Sequence, residues 1–453
     1  MNENNESRHG GADHDAGSFA DLLDTSGVLD DLIFVSVDDH IIEPPDMFEG
    51  RLPAKYQDLA PKVITRDDGA QAWVYDGTEI ASMGLNAVVG RPPEEWGLEP
   101  DRLEDMRKGC WDVHARVNDM NVAGVLGSMS FPSYAQFCGQ RFFRTQDKDL
   151  GLAVLQAYND WHIEDWCGAY PDRLIPLGIV PLWDPELMAA EVRRLDEKGC
   201  HSVTFSEDPH KLGLPPLHDR HWYPFWAECE RLGTVVNLHL GSSSSLPATT
   251  PGSVIETSQT LAPLSLLSTA TEIVWSPFLR DFPDLKIALS EGGIGWIPYF
   301  LERVDYVYRH HRHWTGTNFG DKLPSEVFKE HVISCFIEDR PGLRLKDDLD
   351  IDMICWEMDY PHSDSSWPAA PESFAPSLEH LTREEIDKIT HENALRLYRW
   401  DPWSLRRKEH STVKALRSQT SDMDLLYKSA ERLRGKGVMH PKAEDLNTHF
   451  VSK

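Results

Sequence analysis

The sequence has no long apolar segment and few cysteines. No stretch approaches the roughly 18 consecutive apolar residues that a membrane-spanning helix needs, and the N-terminus has neither a basic start nor an apolar stretch. The seven cysteines are scattered and include no Cys-x-x-Cys pair. Such usage is typical neither of a disulfide framework nor of a cysteine zinc site. We therefore expect a cytoplasmic protein with reduced thiols.

Basic charge is also scarce. The 453 residues include 45 Lys and Arg against 74 Asp and Glu, which gives a formal net charge of −29. Such a surface repels nucleic-acid phosphates and anionic lipid, and we find local basic charge only in the C-terminal tail. The composition therefore argues against nucleic-acid and membrane binding. The 26% charged residues and the 15 Trp are typical of a folded chain.

Alternating strand and helix patterns organise residues 31–400. Residues 1–30 are polar, which predicts a disordered N-terminal arm. Eight short apolar runs then alternate with amphipathic segments, a pattern typical of a (β/α)8 TIM barrel. The runs are Ile33–Val37, Val122–Ser130, Leu174–Val180, Ser202–Phe205, Thr234–Leu238, Lys286–Ser290, Val332–Ile337 and Met353–Met358. A doubly wound open sheet is the alternative, but no Gly-x-Gly-x-x-Gly follows the first run.

Two segments do not follow the repeating pattern. Residues 41–121 form a long connection with a strand-like piece at 72–77, which predicts an insertion or lid over the barrel mouth. Residues 401–453 are charged, and we expect a helical C-terminal extension that packs on the barrel or on a second subunit. A homo-oligomer therefore remains an open alternative.

Side chains that bind metals follow several of the predicted strands. In a barrel of this kind the active site lies at the carboxyl ends of the strands. Asp38 and His40 are two residues apart, so both point to the same side of an extended strand. His239, Glu291 and Asp359 end three other strands. Because grouped carboxylates and imidazoles are stabilised by a shared divalent cation, the sequence predicts a metal site.

Single residues of these types also have structural explanations. A lone Asp after a strand is more often a helix cap or a turn residue than a ligand. His162 is better explained as a core residue and His391 as a helix-start residue. The coincidence of metal-binding side chains on several independent strands is what favours the metal site.

Four motifs carry a resemblance to a known family. They are Val37–Asp46, Leu238-His239, Ser290–Gly293 and Met358–His362. Together they resemble the amidohydrolase-related barrels that include aminocarboxymuconate semialdehyde decarboxylase, over about residues 33–400. The resemblance implies one metal ion, often Zn or Mn, that serves decarboxylation or hydrolysis. The matching ligands are Asp38, His40, His239 and Asp359.

The sequence departs from that family in its carboxylates. The family often has His-x-His on the first strand and a His on the sixth, where this sequence has Asp38 and Glu291. Oxygen ligands favour iron or manganese over zinc, and surplus carboxylates can bridge two ions. The sequence thereby resembles an offshoot of the family, the nonheme di-iron monooxygenases of platensimycin and platencin biosynthesis. This implies two irons held by Asp38, His40, Glu207, His239, Glu291 and Asp359, with Glu43 and His362 as catalytic or supporting groups.

Three functions are compatible with these patterns. The favoured one is a di-iron monooxygenase that uses O2 and an external electron source, such as a reductase partner, to hydroxylate a bulky apolar, terpenoid-like acid or thioester. The alternative is a mononuclear Zn- or Mn-dependent hydrolase or nonoxidative decarboxylase, in which His362 transfers a proton. The third is a barrel that binds a ligand without catalysis, against which the many strand-end ligands argue.

Overall fold

The computed structural model describes residues 27–81, 83–97, 100–250, 252–420 and 442–443. The strands in this part of the chain are β1 (Val35–Ile41), β2 (Lys62–Thr65), β3 (Gln71–Tyr75), β4 (Thr78–Ile80), β5 (Gly127–Pro132), β6 (Leu174–Ile175), β7 (Gly178–Ile179), β8 (Ser202–Ser206), β9 (Val235–His239), β10 (Ile287–Ser290), β11 (Val332–Phe336) and β12 (Ile354–Trp356).

The same part of the chain contains helices of very different lengths. They are α1 (Gly27–Asp30), α2 (Val113–Ala123), α3 (Gln140–Arg144), α4 (Lys148–Trp161), α5 (Pro185–Glu197), α6 (Tyr223–Leu232), α7 (Ile255–Trp275), α8 (Phe278–Asp281), α9 (Ile297–Thr315), α10 (Pro324–His331), α11 (Arg340–Arg344), α12 (Ala370–Phe374), α13 (Arg383–Asp387), α14 (Asn393–Leu397) and α15 (Val413–Arg417). Short 3-10 turns and two π-helical turns, His162–Cys167 and Lys388–Glu392, complete the helical structure.

Eight parallel strand positions form a (β/α)8 barrel, as predicted. β1, β5 and β6 pair in that order, and β7 to β12 pair in chain order. β6 and β7 form one position that is interrupted at Pro176, because proline has no N–H for the ladder. The barrel closes between β1 and the end of β12. There the Asp359 N–H donates to the Asp38 carbonyl at 2.9 Å, and the Met358 N–H donates to Ser36 Oγ at 2.8 Å.

Each predicted apolar run overlaps a barrel strand, but one boundary differs. The run Val122–Ser130 begins too early, because helix α2 extends to Ala123 and β5 begins only at Gly127. Gly124 ends the helix with a φ of 72°, a left-handed conformation that favours glycine. The end of α2 and the start of β5 are both apolar and buried, so hydrophobicity alone does not separate them.

The long connection after β1 contains its own antiparallel sheet. β2 pairs with β3, and β3 pairs with β4. Trp73 of β3 is buried, and its ring centroid lies 4.4 Å from that of Tyr134 and 6.2 Å from that of Phe48. Tyr134 follows β5 and Phe48 follows β1. The small sheet therefore packs on loops at the carboxyl end of the barrel.

The two terminal segments are described only in part. The predicted arm lies outside the described residues up to residue 26, and Gly27–Asp30 forms the turn α1 with Leu29 buried. Within the predicted extension, α15 buries Val413 and Leu416, and Arg417 binds Glu372 with two contacts of 2.7 and 2.8 Å. Most of the chain beyond residue 420 lies outside the described residues. Within the described residues, no helix combines the length and the apolarity needed to span a bilayer.

Candidate metal centre

Six side chains meet at the carboxyl end of the barrel. They form two overlapping groups whose ligand atoms lie within 4.8 Å of one another in each group. The first group is Asp38, His40, His239 and Glu291, and the second is His40, Glu291, Asp359 and His362. β1, β9, β10 and the segment after β12 supply these residues. The parallel strands thus bring side chains that are distant in the chain to one point.

His40 lies at the centre of the cluster. Its Nε2 lies 3.4 Å from Asp38 Oδ1, 3.5 Å from Glu291 Oε1 and 3.3 Å from Asp359 Oδ1. The Nε2 atoms of His40 and His239 are 3.3 Å apart. His239 Nδ1 faces the Leu240 carbonyl at 2.5 Å. Because a carbonyl only accepts, this contact assigns a proton to Nδ1, and Nε2, which faces the cluster, is the nitrogen that a metal ion would bind.

His362 belongs to the second group and lies against His40. The two imidazole rings stack with centroids 3.8 Å apart. His362 Nδ1 lies 2.9 Å from Asp359 Oδ1 and 4.0 Å from Glu291 Oε1. The segment that follows β12 therefore contributes both a carboxylate and an imidazole, as the sequence predicted for Asp359 and His362.

Several of the polar atoms in this cluster are buried without a hydrogen-bond partner. In the described part of the chain they include both carboxylate oxygens of Asp38, Nδ1 of His40 and Oδ1 of Asp359. Leaving such an atom unpaired is unfavourable by about 1–3 kcal/mol, and by more for a charged group. Converging carboxylate oxygens and imidazole nitrogens, several of them without a hydrogen bond, are the donors that a divalent cation binds. The residues present therefore fit a metal ion.

The electrostatics of the cluster lead to the same conclusion. Burial raises the pKa of Asp38 to about 7 and, together with Glu291, raises the pKa of Asp359 well above its ordinary value. Burial opposes ionisation of Glu291 too, yet His239 and His40 hold its pKa well below the ordinary value. Burial lowers the pKa of His40 to about 4, whereas Glu291 and Asp38 outweigh burial at His239 and raise its pKa. Without a metal, the acids and imidazoles must share protons.

Glu357 is a site residue that the sequence reasoning missed. Its side chain is fully buried, and its two carboxylate oxygens accept the Glu291 N–H at 3.1 and 3.2 Å. Burial, followed by the charges of Asp38 and Glu291, raises the pKa of Glu357 well above its ordinary value. The signal was available, because Glu357 precedes Asp359 by two residues and such a pair shares one side of an extended chain.

Glu43 and Glu207 lie outside both ligand groups. Glu43 accepts the N–H groups of Ser133 and Tyr134, at 3.0 and 2.7 Å, in the loop after β5. Glu207 accepts the hydroxyl of Ser243 at 2.6 Å, in the loop after β9. The structure therefore does not place the predicted ligand Glu207, or the predicted catalytic residue Glu43, in the metal cluster. Both carboxylates are instead satisfied by neighbouring loops.

An aromatic side chain lies against the cluster, and a small cavity lies beside the loops after β5 and β9. The Phe137 ring centroid lies 4.3 Å from that of His239 and 5.2 Å from that of His40. A cavity of about 70 Å³ lies between the small sheet and α3, and Arg141 and Arg144 line it. Arg144 donates to side chains in the loops after β5 and β9, at 2.7 and 2.8 Å. Asp76 also lines this cavity, so it contains one carboxylate beside the two guanidinium groups.

The fold and this cluster define a (β/α)8-barrel enzyme with a site suited to metal. A family model for amidohydrolases, Amidohydro_2, matches residues 54–400. The chain therefore belongs to this amidohydrolase family, and the resemblance found in the sequence is confirmed. The match begins after Asp38 and His40, so it does not include the first-strand pair.

Two curated relatives are named as decarboxylases. The chain is 26% identical over 209 residues to the 2-amino-3-carboxymuconate-6-semialdehyde decarboxylase of Dictyostelium discoideum, which covers 45% of this chain and 54% of that protein. It is 26% identical over 268 residues to the gamma-resorcylate decarboxylase of Rhodococcus jostii, which covers 56% of this chain and 74% of that protein. The chain thus spans about half the length of the Dictyostelium relative.

Solved structures share the fold over most of the chain. A Mycobacterium avium subsp. paratuberculosis amidohydrolase matches with a TM-score of 0.62 and 22% identity, over 81% of this chain and 98% of that one. The 5-carboxyvanillate decarboxylase of Novosphingobium aromaticivorans, solved with manganese, matches with a TM-score of 0.55 and 17% identity, over 83% and 98% of the two chains. These relatives give no support to the predicted monooxygenase activity, diterpenoid substrate or iron.

Proposed function

We propose that this chain is a metal-dependent nonoxidative decarboxylase that acts on a carboxylated small molecule. The observation that carries the proposal is the buried cluster of carboxylates and imidazoles at the barrel mouth. The decarboxylase names of the two curated relatives support the reaction class. The hydrolase activity that the sequence left as a further alternative has no such support among those two relatives.

One divalent ion is the proposed cofactor. Asp38, His40, His239 and Asp359 would hold it. Asp38 and His239 belong to the first ligand group and Asp359 to the second, while His40 and Glu291 belong to both. A bound Mn²⁺ or Zn²⁺ would supply a Lewis acid that draws electron density from a substrate oxygen. The oxygen-rich donor set favours manganese, and the bound manganese of the Novosphingobium structure supports that choice.

His362 is the proposed proton-transfer residue. Nonoxidative decarboxylation breaks the bond between the carboxylate and its carbon, releases CO2, and leaves on that carbon an electron pair that takes up a proton. His362 Nδ1 lies 2.9 Å from the Asp359 carboxylate, and stacking on His40 fixes the plane of the imidazole ring. An oriented imidazole of this kind is suited to general acid–base catalysis.

The cavity lined by Arg141 and Arg144 supports an acidic substrate, because its two guanidinium groups outnumber its one carboxylate, Asp76. Arg141 is buried and Arg144 is partly enclosed, and burial lowers the pKa of both guanidinium groups. The hydrogen bonds of Arg144 go to the neutral side chains of Gln136 and Ser244. A carboxylate in this cavity would offset the desolvation of two like charges. We therefore propose that the substrate has a second acidic group besides the one that leaves.

The test is an anaerobic assay of CO2 release from a panel of hydroxybenzoates and carboxylated dienoates, with Mn²⁺-loaded protein. We expect turnover without O2, its loss in His239→Ala, and at least a tenfold lower activity with unchanged metal content in His362→Asn. His410→Ala, an exposed histidine of the C-terminal extension, is the matched control and should retain activity. Absence of CO2 release from every acid in the panel, with metal bound, would count against the decarboxylase.

A second candidate function depends on one further feature of the cluster. The two ligand groups share His40 and Glu291, so the six side chains offer ligands for two ions as well as for one. Carboxylates that can bridge two ions are typical of iron sites that activate O2. The second candidate is therefore a di-iron monooxygenase that hydroxylates a bulky apolar acid or thioester and takes electrons from a reductase.

Metal content and oxygen dependence separate the two candidates. Protein purified without added metal is analysed by mass spectrometry for ions per chain. One manganese or zinc per chain, with turnover under nitrogen, supports the decarboxylase. Two irons per chain, with turnover only in the presence of O2 and a reductant, supports the monooxygenase and overturns the first proposal.

A further inference from the structure

Helix α2 lies at the end of the long connection after β1, and its arginine Arg116 contacts the backbone of the metal cluster. The side chain of Arg116 is fully buried. Its Nε donates to the Gly109 carbonyl at 2.7 Å, and its Nη2 donates to the His40 carbonyl at 2.5 Å. His40 is one of the residues that both ligand groups share. The guanidinium therefore holds the backbone of a ligand on which both groups depend.

The same guanidinium also lies over the ring of Tyr360, 4.3 Å from the ring centroid. Tyr360 lies between Asp359 and His362, the two side chains that the segment after β12 contributes to the cluster. The Tyr360 N–H donates to Asp39 Oδ1 at 2.9 Å, and the Tyr360 carbonyl accepts the His40 N–H at 2.6 Å. The guanidinium thus contacts both chain segments that supply ligands to the second group.

Asp119, one turn after Arg116 on α2, binds the hydroxyl end of Tyr360. The Tyr360 hydroxyl donates to Asp119 Oδ2 at 2.6 Å. Arg107 binds the same carboxylate with two contacts of 2.7 and 2.8 Å. At Gly109, a Cβ atom would lie only 2.6 Å from the Tyr360 hydroxyl and would also collide with the Asp119 carboxylate. Glycine at this position therefore leaves the space that the Asp119–Tyr360 pair occupies.

The contacts of Arg116 require a guanidinium. This group is planar and carries its N–H donors in a fixed fork, so it can bind two carbonyls while it stacks on an aromatic ring. The compact ammonium of a lysine cannot make these contacts together. Asp39 supplies a nearby opposite charge: burial raises the pKa of Asp39 to about 6, and the charge of Arg116 opposes that rise. The buried cation is thus both hydrogen-bonded and close to a carboxylate.

We propose that Arg116 and Asp119 are positioning residues of the metal centre that act through Tyr360. Together they fix the place of the Asp359 carboxylate relative to the His40 imidazole. Neither Arg116 nor Asp119 belongs to a ligand group, so their effect on a bound ion passes through the backbone of His40 and through Tyr360. The long connection after β1 supports the metal centre in this way. The inference rests on the metal ion of the proposed function, and it is independent of the reaction.

The test compares Arg116→Lys with the matched control Arg173→Lys. Arg173 is also buried and also donates to two carbonyls, those of Leu126 and Val125, at 2.7 and 3.0 Å. These carbonyls precede β5 and lie at the amino end of the barrel, away from the metal cluster. Three quantities are measured for each full-length protein: the Mn²⁺ dissociation constant by competition with a chelating dye, the EPR spectrum of the bound Mn²⁺, and the urea midpoint after chelator treatment.

We expect Arg116→Lys to weaken Mn²⁺ binding about 10–100-fold, the range for residues that hydrogen-bond to metal ligands. Its EPR spectrum should also differ from that of the wild type, because the ligands change their arrangement around the ion. Arg173→Lys should lower the urea midpoint but keep the wild-type dissociation constant and spectrum. Wild-type affinity and spectrum in Arg116→Lys, or an equal loss of affinity in both variants, would overturn the proposal.

Tyr360→Phe tests the same arrangement with a smaller change, should Arg116→Lys fail to fold. It removes one hydroxyl, and Asp119 stays paired with Arg107. We expect Mn²⁺ binding about two- to tenfold weaker, as for the loss of one hydrogen bond, and a changed EPR spectrum. Wild-type values of both would overturn the proposal.

Two outcomes for the wild-type chain separate this inference from the proposed function. Mn²⁺ binding too weak to measure would overturn both the positioning role and the proposed cofactor. Wild-type Mn²⁺ binding that Arg116→Lys weakens, without CO2 release from any acid, would support the positioning role and count against the decarboxylase alone.

Discussion

Replacing Glu357 tests how the barrel holds Glu291 in the metal cluster. Glu357 is completely buried and accepts the Glu291 N–H at 3.1 and 3.2 Å. In Glu357→Leu that buried N–H loses its acceptor, which is destabilising by about 1–3 kcal/mol. Glu357→Gln keeps a carbonyl acceptor and nearly the same volume. We therefore expect a lower free energy of unfolding for the Leu variant and a near-wild-type value for the Gln variant at pH 5.

The pH dependence follows from the protonation of Glu357 in the metal-free protein. Burial, then the charges of Asp38 and Glu291, raises its pKa well above the ordinary value of 4.5. The folded chain therefore holds a proton that the unfolded chain releases above about pH 4.5, so the contribution of this group to wild-type stability declines as the pH rises. Glu357→Gln has no such proton. The Gln variant should become more stable than the wild type between pH 5 and pH 8.

The measurement is urea denaturation of chelator-treated protein at pH 5, 6, 7 and 8, with metal affinity measured separately. If the Gln variant is as unstable as the Leu variant at pH 5, a neutral acceptor is insufficient and the reasoning fails. A stability difference between Gln and wild type that stays constant over this pH range would contradict the raised pKa.

Four further predictions concern other parts of the barrel mouth. His239→Ala should weaken metal binding at least about 100-fold, measured by competition with a chelating dye. Replacing a residue that only hydrogen-bonds to a ligand already lowers metal affinity about 10–100-fold. Glu207→Gln should still bind the metal ion, because Glu207 lies outside both ligand groups. Loss of the metal ion in this variant would show that Glu207 is a ligand. Glu43→Ala leaves two backbone N–H groups without their acceptor and should lower the free energy of unfolding by about 2 kcal/mol in urea. Trp73→Ala should lower it by about 3–5 kcal/mol, and a loss below about 1 kcal/mol would show that the small sheet is not part of the cooperative core.

The barrel and its central ligands could be predicted because local patterns encode them. A parallel strand buried on both faces appears as a short apolar run, and the carboxyl ends of such strands share one end of the barrel. The i, i+2 spacing of Asp38 and His40 sets their common direction without any tertiary information. His239, Glu291 and Asp359 could be selected because each directly follows a predicted strand. The structure places all three side chains in the ligand groups.

The spacing of Glu357 from Asp359 was a signal, but the strand ends alone do not show that Glu207 lies outside the cluster or that Glu357 supports Glu291. Both carboxylates lie at or just after a strand, and both are buried. What separates them is the path of other segments: the loop after β9 brings Ser243 onto Glu207, whereas Glu291 presents its N–H to Glu357. Such contacts depend on residues far away in the chain. Composition and spacing describe which groups are available, but not which loop satisfies them.

Backbone conformation explains why Glu291 and Asp359 reach the cluster. Both have positive φ, 59° and 57°, in the left-handed region that is unfavourable for non-glycine residues by about 1–2 kcal/mol. Neighbouring contacts hold this conformation, since the Glu291 N–H binds Glu357 and the Asp359 N–H binds the Asp38 carbonyl. Glycine would relieve either strained turn but would remove a carboxylate from the second ligand group. The two left-handed turns that are unfavourable for the backbone are thus the ones that direct these carboxylates toward His40. A substitution that relieves the strain therefore also removes a ligand.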